Sequence, residues 1–433
     1  MSQTAATLTW EAVEHAGSYA YSVDEGDEQV IAEPSLTLSD LKPATVYTVR
    51  VKSLAADAGY SDSKWASVEV KTLEEDPGRP TGYTVYPMDP IVVSNQYNLL
   101  NAYIRAISDS GEYAVGVDNT LGDPTSFVWE KSTGKYTVLD PGEHDGCSAY
   151  DVNDDGIIVG SVSGSDYEKP AWLDFKNGGT WQLLPDNGMS KSFYPSFAVG
   201  IANDGTIGGQ VLTKLPDGSE RCVPCVWKNK QLDQSQFEIP QSGDDLMYGC
   251  FLYGMSDDGR VLAGWQDWGV GARSPAVWVD GKMTRIYGES GENVDWVFEG
   301  VAVSVSPDGR YVTGYWMPED AGSVVGFVYD VTTGEKTEIN NQGVTVTDAG
   351  RVYSVGYSGF GGYIWENGQD RPLESLFEGL DGKFASEVSP EVGSDGMLES
   401  CYAVSRDEKV LGGCFVYSAF GTALQYPSIV VFE

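Results

Sequence analysis

A short hairpin motif recurs seven times, and this repetition constrains the fold more than any other feature of the sequence. Each copy has an apolar strand, a turn rich in Asp, Asn and Ser, and a second apolar strand. The turns pivot on Gly111, Gly156, Gly205, Gly259, Gly309, Gly350 and Glu408. Their spacing ranges from 41 residues (Gly309 to Gly350) to 58 residues (Gly350 to Glu408). This period predicts similar units that each pack on the next.

The pivot of each turn is predicted to need a positive φ. Glycine takes a positive φ without steric cost, and Asp or Asn beside glycine is typical of tight hairpins. Glu408 departs from this pattern. A glutamate held at positive φ should cost about 1 kcal/mol.

A third strand follows every hairpin, and in most copies a turn and a fourth strand come after it. The third strands share an aromatic residue near their ends: Trp129, Trp172, Trp227, Trp278, Tyr329, Trp365 and Phe432. Four antiparallel strands in each of seven units predict an all-β chain whose residues 81–433 form a seven-bladed β-propeller.

The two ends of this region complement each other. The seventh unit stops after its third strand because the sequence ends at Glu433, and residues 81–87 resemble a fourth strand without the three that should precede it. An open ring would leave two unpaired sheet edges. Residues 83–86 are therefore predicted to pair with residues 428–432 and complete the last blade.

Residues 1–75 have short alternating strands of a different kind, and residues 73–82 are a linker rich in charge, Pro and Gly. Trp10, Leu41, Pro43 and Tyr47 match the core tryptophan and the L-x-P-x-T-x-Y stretch of the fibronectin type III family, which this segment resembles. The resemblance implies a β-sandwich that is a spacer or binding module, with the Tyr47 hydroxyl capping a nearby backbone group. The family's first strand would precede residue 6, so we expect the natural chain to continue upstream, where a signal or lipoprotein leader would fit.

The repeated hairpin with its following A-x-x-W strand is similar to the HAF-type extracellular repeats of bacterial surface proteins. This similarity covers about residues 81–433 and implies an exported protein without a defined activity. The predicted location is therefore secreted or at the cell surface.

The charge limits the partners. The chain has 64 acidic and 27 basic side chains and a formal charge of −37. A surface this negative repels phosphate backbones and anionic membranes, so no nucleic acid is expected as a partner. No apolar run reaches the ~20 residues that a membrane helix needs, so no direct membrane insertion is expected. We expect a monomer.

Catalytic and metal motifs are scarce. His15 has no evident partner, and His144 lies in a loop with Glu143 and Asp145. One C-x-x-C pair, Cys222 and Cys225, is too little for a zinc site, and the acidic hairpin tips are explained by turn chemistry rather than calcium. No catalytic residue, metal or cofactor is predicted.

Cys401 and Cys414 flank the last hairpin at equal distances from its centre. This spacing predicts that they face each other across two strands. A disulfide and two buried thiols both fit that arrangement.

The remaining candidate site is the face of the propeller that carries the long loops. Aromatic and acidic residues recur in those loops: Trp268, Trp296, Trp316, Asp267, Asp295, Glu319 and Asp320. Aromatic faces beside carboxylates suit sugar rings, whereas tryptophans that pack loops together would look the same in sequence. We predict a non-catalytic binding or adhesion protein with an extracellular glycan or protein ligand. A glycoside hydrolase or lyase with carboxylates in the funnel, and a purely structural scaffold, remain alternatives.

Overall fold

The chain forms two compact units, Met1–Arg79 and Pro80–Glu433. The computed structural model describes residues 6–24, 26–38, 41–42, 45–71, 80–88, 102–118, 125–164, 168–189, 195–238, 249–268, 272–287, 300–317, 323–356, 361–384, 397–419 and 422–433. Strands dominate both units, and one short 3-10 helix is the single helical element of the described residues. No helix in these ranges has the length and apolarity to cross a membrane.

The first unit contains six strands in two antiparallel sheets. They are β1 (Ala6–Thr9), β2 (Ala16–Val23), β3 (Gln29–Ile31), β4 (Ser35–Leu38), β5 (Val46–Ala55) and β6 (Ala66–Lys71). One sheet pairs β1 with β4, and the other has the order β3-β2-β5-β6. Leu36 and Leu38 of the smaller sheet pack on Val49 and Val70 of the larger one. The unit is therefore a two-layer all-β module with its own core.

The second unit begins with β7 (Gly82–Pro87), and seven sheets follow in chain order. Sheets 1 to 3 contain β8 (Ala102–Ile107), β9 (Tyr113–Asp118), β10 (Thr125–Glu130) and β11 (Lys135–Val138); β12 (Gly146–Val152), β13 (Ile157–Ser163), β14 (Glu168–Asp174) and β15 (Gln182–Leu183); and β16 (Phe197–Ile201), β17 (Ile207–Lys214), β18 (Glu220–Lys228) and β19 (Gln231–Asp233).

Sheets 4 to 6 contain β20 (Cys250–Met255), β21 (Val261–Trp268), β22 (Ala272–Val279) and β23 (Lys282–Arg285); β24 (Gly300–Val305), β25 (Tyr311–Trp316), β26 (Val325–Asp330) and β27 (Lys336–Ile339); and β28 (Gln342–Val346), β29 (Val352–Val355), β30 (Gly362–Glu366) and β31 (Gln369–Pro372). After the 3-10 helix (Leu373–Leu376) come β32 (Asp381–Phe384), β33 (Met397–Val404), β34 (Val410–Ala419) and β35 (Thr422–Phe432). Sheets 1 to 6 each pair their four strands in chain order, whereas sheet 7 has the order β32-β7-β35-β34-β33.

Neighbouring sheets bury an apolar layer between them all the way round. Sheet 1 packs on sheet 2 through Val115 and Ile158, for example. Sheet 7 packs back on sheet 1, where Val410 and Ile429 meet Ile104. Burial between successive sheets is the main stabilising term of such an arrangement, because each sheet alone would expose both faces.

Sheet 7 joins the two ends of the second unit. Tyr83 to Pro87 of β7 pair antiparallel with Ser428 to Phe432 of β35, as the sequence predicts. A fifth strand, β32, pairs parallel to the outer side of β7, which the four-strand pattern did not predict. Phe377, after the 3-10 helix, packs on both Tyr83 and Phe432. The segment before sheet 7 therefore covers the strand that joins the ends.

The hairpin turns have the predicted backbone. All seven pivots have positive φ, including Glu408 at 56°. The Glu408 carboxylate accepts hydrogen bonds from Arg351 and from the Tyr353 hydroxyl, at 2.8 Å for the latter. These contacts offset part of the conformational cost at this position.

In each of the seven sheets of the second unit, the strand that enters the hairpin turn contains a β-bulge. The register shift skips Arg105, Tyr150, Val199, Tyr253, Val303, Val344 and Tyr402. A bulge leaves one residue unpaired and redirects its side chain. In five sheets a glycine of the second strand faces the bulged strand so closely that a Cβ would clash with its backbone: Gly116, Gly160, Gly209, Gly264 and Gly314. The last glycine of the repeated motif thus leaves the space into which the backbone of the bulged strand fits.

Candidate ligand-binding channel

A cavity of about 540 Å³ is lined by residues of all seven sheets of the second unit. Its lining comes from the first strand of each sheet, namely β8, β12, β16, β20, β24, β28 and β33, together with the hairpin tips that follow them. We call this cavity the central channel. Its volume is in the range of small-molecule binding sites.

All seven bulged residues line the central channel. They occupy equivalent positions in their strands, so they form one layer around the wall. Four of them, Arg105, Tyr150, Tyr253 and Tyr402, have polar and aromatic side chains, whereas sheets 3, 5 and 6 contribute valines. Sheets 7, 1 and 2 therefore contribute three adjacent polar or aromatic side chains to the layer, and sheet 4 contributes Tyr253 separately.

Aromatic rings continue from this layer along sheets 2 to 4. The ring of Tyr150 stacks on Phe197 at 5.1 Å between centroids, and Phe197 lies 4.9 Å from Phe251. Phe251 in turn lies 5.2 Å from Tyr253 and 5.8 Å from Trp265. We call Tyr150, Phe251 and Tyr253, which line the channel, the aromatic wall. Tyr253 is 42% exposed, so part of the wall is open to a ligand.

Arg105 stands beside the aromatic wall. Its guanidinium carbon lies 4.2 Å from the centroid of the Tyr150 ring, and Nη2 donates a hydrogen bond to the Tyr103 hydroxyl at 3.1 Å. Nη1 is buried and has no hydrogen-bond partner among the described residues. Burial raises the pKa of Tyr150, so this phenol stays neutral near pH 7 and supplies no negative charge.

The hairpin tips form the opposite end of the channel. Two residues before each pivot, the seven sheets place Asp109, Asp154, Asn203, Asp257, Pro307, Asp348 and Arg406. Arg406 reaches across this ring. Its Nη1 donates to Asp257 Oδ2 at 2.6 Å, and its Nε donates to Asp348 Oδ2 at 3.0 Å. Its backbone N–H also donates to the carbonyl of Asp109 at 3.1 Å.

Asn203 engages the remaining acids of the ring. Its Nδ2 donates to Asp109 Oδ2 at 3.0 Å and to Asp154 Oδ2 at 3.1 Å. Asp151, farther along the wall, accepts backbone N–H groups of Val152 and Ile201, each at 2.8 Å. These carboxylates are therefore occupied by partners within the protein.

Two of these acids have shifted proton affinity. Burial raises the pKa of Asp257 to about 7, and the nearby Asp109 carboxylate adds to the shift while Arg406 opposes it. Burial also raises the pKa of Asp151 to about 7, against the effect of its two backbone hydrogen bonds. In the folded protein these two carboxyl groups therefore titrate near pH 7.

We expect the free energy of unfolding of the second unit to fall as the pH rises from 4 to 7. The unfolded chain releases the Asp257 proton near pH 4 and the folded chain only near pH 7, so deprotonation favours unfolding in that window. Asp257→Asn should reduce this loss by about 1–2 kcal/mol, after allowance for the partial exposure of the site.

Urea unfolding at pH 4 to 8, followed by tryptophan fluorescence, measures the effect. Asp280→Asn is the control, because Arg260 lowers the pKa of Asp280 and the contribution of this group is nearly constant above about pH 5, where the unfolded chain is also deprotonated at this position. Parallel profiles for wild type and Asp257→Asn would contradict the prediction.

The residues that the sequence analysis assigned to the loop-rich face have different environments in the structure. Asp267 is 1% exposed and accepts the backbone N–H of Gly249 at 3.1 Å. Trp316 is partly buried and stacks on Tyr287 at 4.2 Å. Trp268 ends β21, and its side chain is outside the described set. Asp295, Trp296, Glu319 and Asp320 also lie outside the described residues. The sugar-binding role of this group remains a prediction.

The cysteines differ from prediction in one respect. Cys401 pairs with Gly413 and Cys414 with Ser400, so the two do not face each other; bulges on both sides of Cys401 shift the register. Cys401 is a buried free thiol. Burial raises the pKa of Cys222 to about 12 and holds that of Cys225 well above its usual value, which makes both thiols unreactive.

The histidine of the first unit has a partner, contrary to the sequence-based expectation. His15 stacks on Tyr60 at 4.2 Å, and its Nε2 lies 3.1 Å from the tyrosine hydroxyl. Tyr60 follows in the turn after β5, a contact between strand ends that local sequence does not reveal.

Comparison with known proteins leaves this site without an assigned chemistry. No family model matches the sequence, and no curated protein matches it. An oligogalacturonate lyase from Vibrio parahaemolyticus is 12% identical, with a TM-score of 0.46 over 81% of this chain and 97% of that one. The β-propeller domain of the Trilobed protease from Pyrococcus furiosus is 12% identical, with a TM-score of 0.41 over 76% and 91%. TolB from Acinetobacter baumannii is 12% identical, with a TM-score of 0.38 over 67% and 76%.

Arg105 and Arg406, the two cations among the described residues that line the channel, were not predicted from the sequence. The signal was present, because every bulged residue lies six positions before its pivot, as Arg105 does before Gly111. Alignment of the seven copies on their pivots would have shown one column with Arg and three tyrosines. It would also have shown Arg406 as the one cation in the column of tip residues.

Proposed function

We propose that the chain is a fibronectin type III-like domain (residues 1–75) followed by a seven-bladed β-propeller (residues 81–433) closed by β7. The strand orders β1-β4 and β3-β2-β5-β6 fit the two sheets of that sandwich. The backbone N–H of Lys42 donates to the Tyr47 hydroxyl at 2.6 Å, which is the contact that the resemblance implies. Seven sheets with buried interfaces, and the pairing of β7 with β35, support the closed ring.

We propose that this propeller is a non-catalytic binding protein of the cell exterior. Its ligand would occupy the end of the central channel that the aromatic wall lines, where the first strand of each sheet begins. The observation that carries this proposal is that Arg105, Tyr150 and Tyr253 all line one cavity of about 540 Å³. Aromatic faces with few polar groups are typical of sugar-binding sites.

The occupied carboxylates favour binding over hydrolysis. A glycoside hydrolase needs two carboxyl groups that are free to reach the substrate. In the channel, Asp257 and Asp348 bind Arg406, Asp109 and Asp154 bind Asn203, and Asp151 binds backbone N–H groups. A hydrolase or lyase remains the second candidate through Asp295, Glu319 and Asp320 of the long loops, which belong with Trp268 and Trp296 to the proposed loop-rich face.

A glycan array probed with the full chain tests the proposal. Tyr253→Ala should abolish binding with little loss of stability, because this side chain is 42% exposed. Tyr60→Ala, at an exposed tyrosine of the first unit, is the control and should bind as wild type does. Trp268→Ala and Trp296→Ala test the loop-rich face separately. Binding that Tyr253→Ala leaves unchanged would refute the channel site, and release of shortened sugars would favour the enzyme.

A further inference from the structure

We propose that the central channel binds a sugar bearing a carboxylate, a hexuronate, through the guanidinium of Arg105. This inference rests on the proposed binding function and names the class of its ligand. It starts from a cation that has no counter-ion among the residues that the structure describes.

Arg105 has no ion pair among the described residues, although the chain has more than twice as many acidic as basic side chains. Its guanidinium donates to the hydroxyl of Tyr103 and lies over the rings of Tyr103 and Tyr150. The channel acids are bound elsewhere: Asp109 and Asp257 interact with Arg406, and Asp151 accepts backbone N–H groups. Within the described ranges, Arg406 thus pairs with three carboxylates, whereas Arg105 pairs with none.

A buried cation without an anion is unfavourable for folding. Replacing it by an apolar residue of similar size is often neutral or stabilising. Residues that break such a rule are expected at functional sites, where the missing partner is supplied by the ligand. Arg105 lines the cavity, and its buried Nη1 has no partner among the described residues. A small rotation of the side chain would turn these unused donors toward a ligand carboxylate in the cavity.

The surroundings of Arg105 favour a sugar ring as the carrier of that carboxylate. Phe251 and Tyr253 present aromatic surface in the same cavity, and Tyr103 and Tyr402 add rings at 6.1 Å from each other on the other side of Arg105. Aromatic faces stack on the C–H face of a pyranose, and tyrosine hydroxyls bond its hydroxyl groups. The protein's net charge of −37 disfavours long polyanions at a distance, so a short ligand with one or two carboxylates fits best.

The test compares glucuronate with glucose by titration calorimetry on the full chain. We expect glucuronate to bind more tightly than glucose. Arg105→Met should weaken glucuronate binding about 10- to 100-fold through the loss of charged hydrogen bonds, and it should weaken glucose binding much less, so that the preference for glucuronate over glucose is lost. Arg105→Lys should fall between, since it keeps the charge and loses the planar fork. Arg273→Met is the matched control, because Arg273 lies over Trp265 at 4.9 Å and is exposed.

The melting temperature of wild type and of Arg105→Met tests the inference independently of the calorimetric titration. Without ligand, Arg105→Met should have the same or a higher Tm than wild type, and glucuronate should raise the Tm of wild type only. Glucose that binds as well as glucuronate, with Arg105→Met neutral and Tyr253→Ala impaired, would overturn the acidic ligand and keep the channel site. Absence of binding by both sugars, with a lower Tm for Arg105→Met, would overturn both and make Arg105 a structural residue.

Discussion

Val85→Asp should unfold the second unit, with a loss of about 4 kcal/mol or more in its free energy of unfolding. Val85 is fully buried in the middle of β7, where it pairs with Val430 on one side and Phe384 on the other. An aspartate there would place a charge without a partner between two strands. It would also weaken the pairing that joins the ends of the unit.

Urea unfolding followed by tryptophan fluorescence measures this loss. Thr81→Asp is the control, because Thr81 is exposed four residues earlier in the same segment and should tolerate the charge. If Val85→Asp had the same unfolding midpoint as wild type, β7 would contribute little, and the closed ring would lose its main support.

Gly160→Ala should cost about 3 kcal/mol, although it adds a single methyl group. A Cβ at Gly160 would fall on the carbonyl oxygen of Ser148, which the bulge at Tyr150 pushes toward β13. Backbone cannot rotate away as a flexible side chain can, so the strands must separate. The bulge that orients Tyr150 into the channel would be disturbed with them.

Gly164→Ala, just after β13, is the matched control. A Cβ there meets nothing within 4 Å, and this glycine does not have positive φ. Its thermal unfolding should match wild type, whereas Gly160→Ala should melt well below it. Equal melting of the two variants would mean that the final glycine of the motif has no steric role.

Much of the fold could be predicted from local chemistry. A glycine in a turn rich in Asp, Asn and Ser marks a hairpin because positive φ is a property of single residues. Six of the seven pivots are such glycines, and all seven, including Glu408, have positive φ. The pairing of residues 83–86 with 428–432 could also be inferred, since an incomplete unit at one end leaves an edge that a lone strand must cover. The fifth strand, β32, could not be predicted, because no tight turn connects it to its parallel partner β7 and so no turn motif in the sequence indicates the pairing.

The candidate site was less accessible to sequence analysis. Trp316 and Asp267 had the composition of a sugar-binding surface, yet Trp316 stacks on Tyr287 and Asp267 bonds Gly249. Cys401 and Cys414 have symmetric spacing, yet two bulges move them out of register. Composition does not reveal which side of a strand faces a neighbour.

The sequence by itself determined the repeating hairpin, the turn geometry and the number of units, because these depend on contacts between residues close in the chain. Only the tertiary structure decided which side chains meet in the channel. Arg105 and Tyr253 are 148 positions apart, and Arg406 and Asp109 are 297 apart. The ring brings such residues together through bulges and packing that depend on all seven sheets at once, which no local pattern encodes.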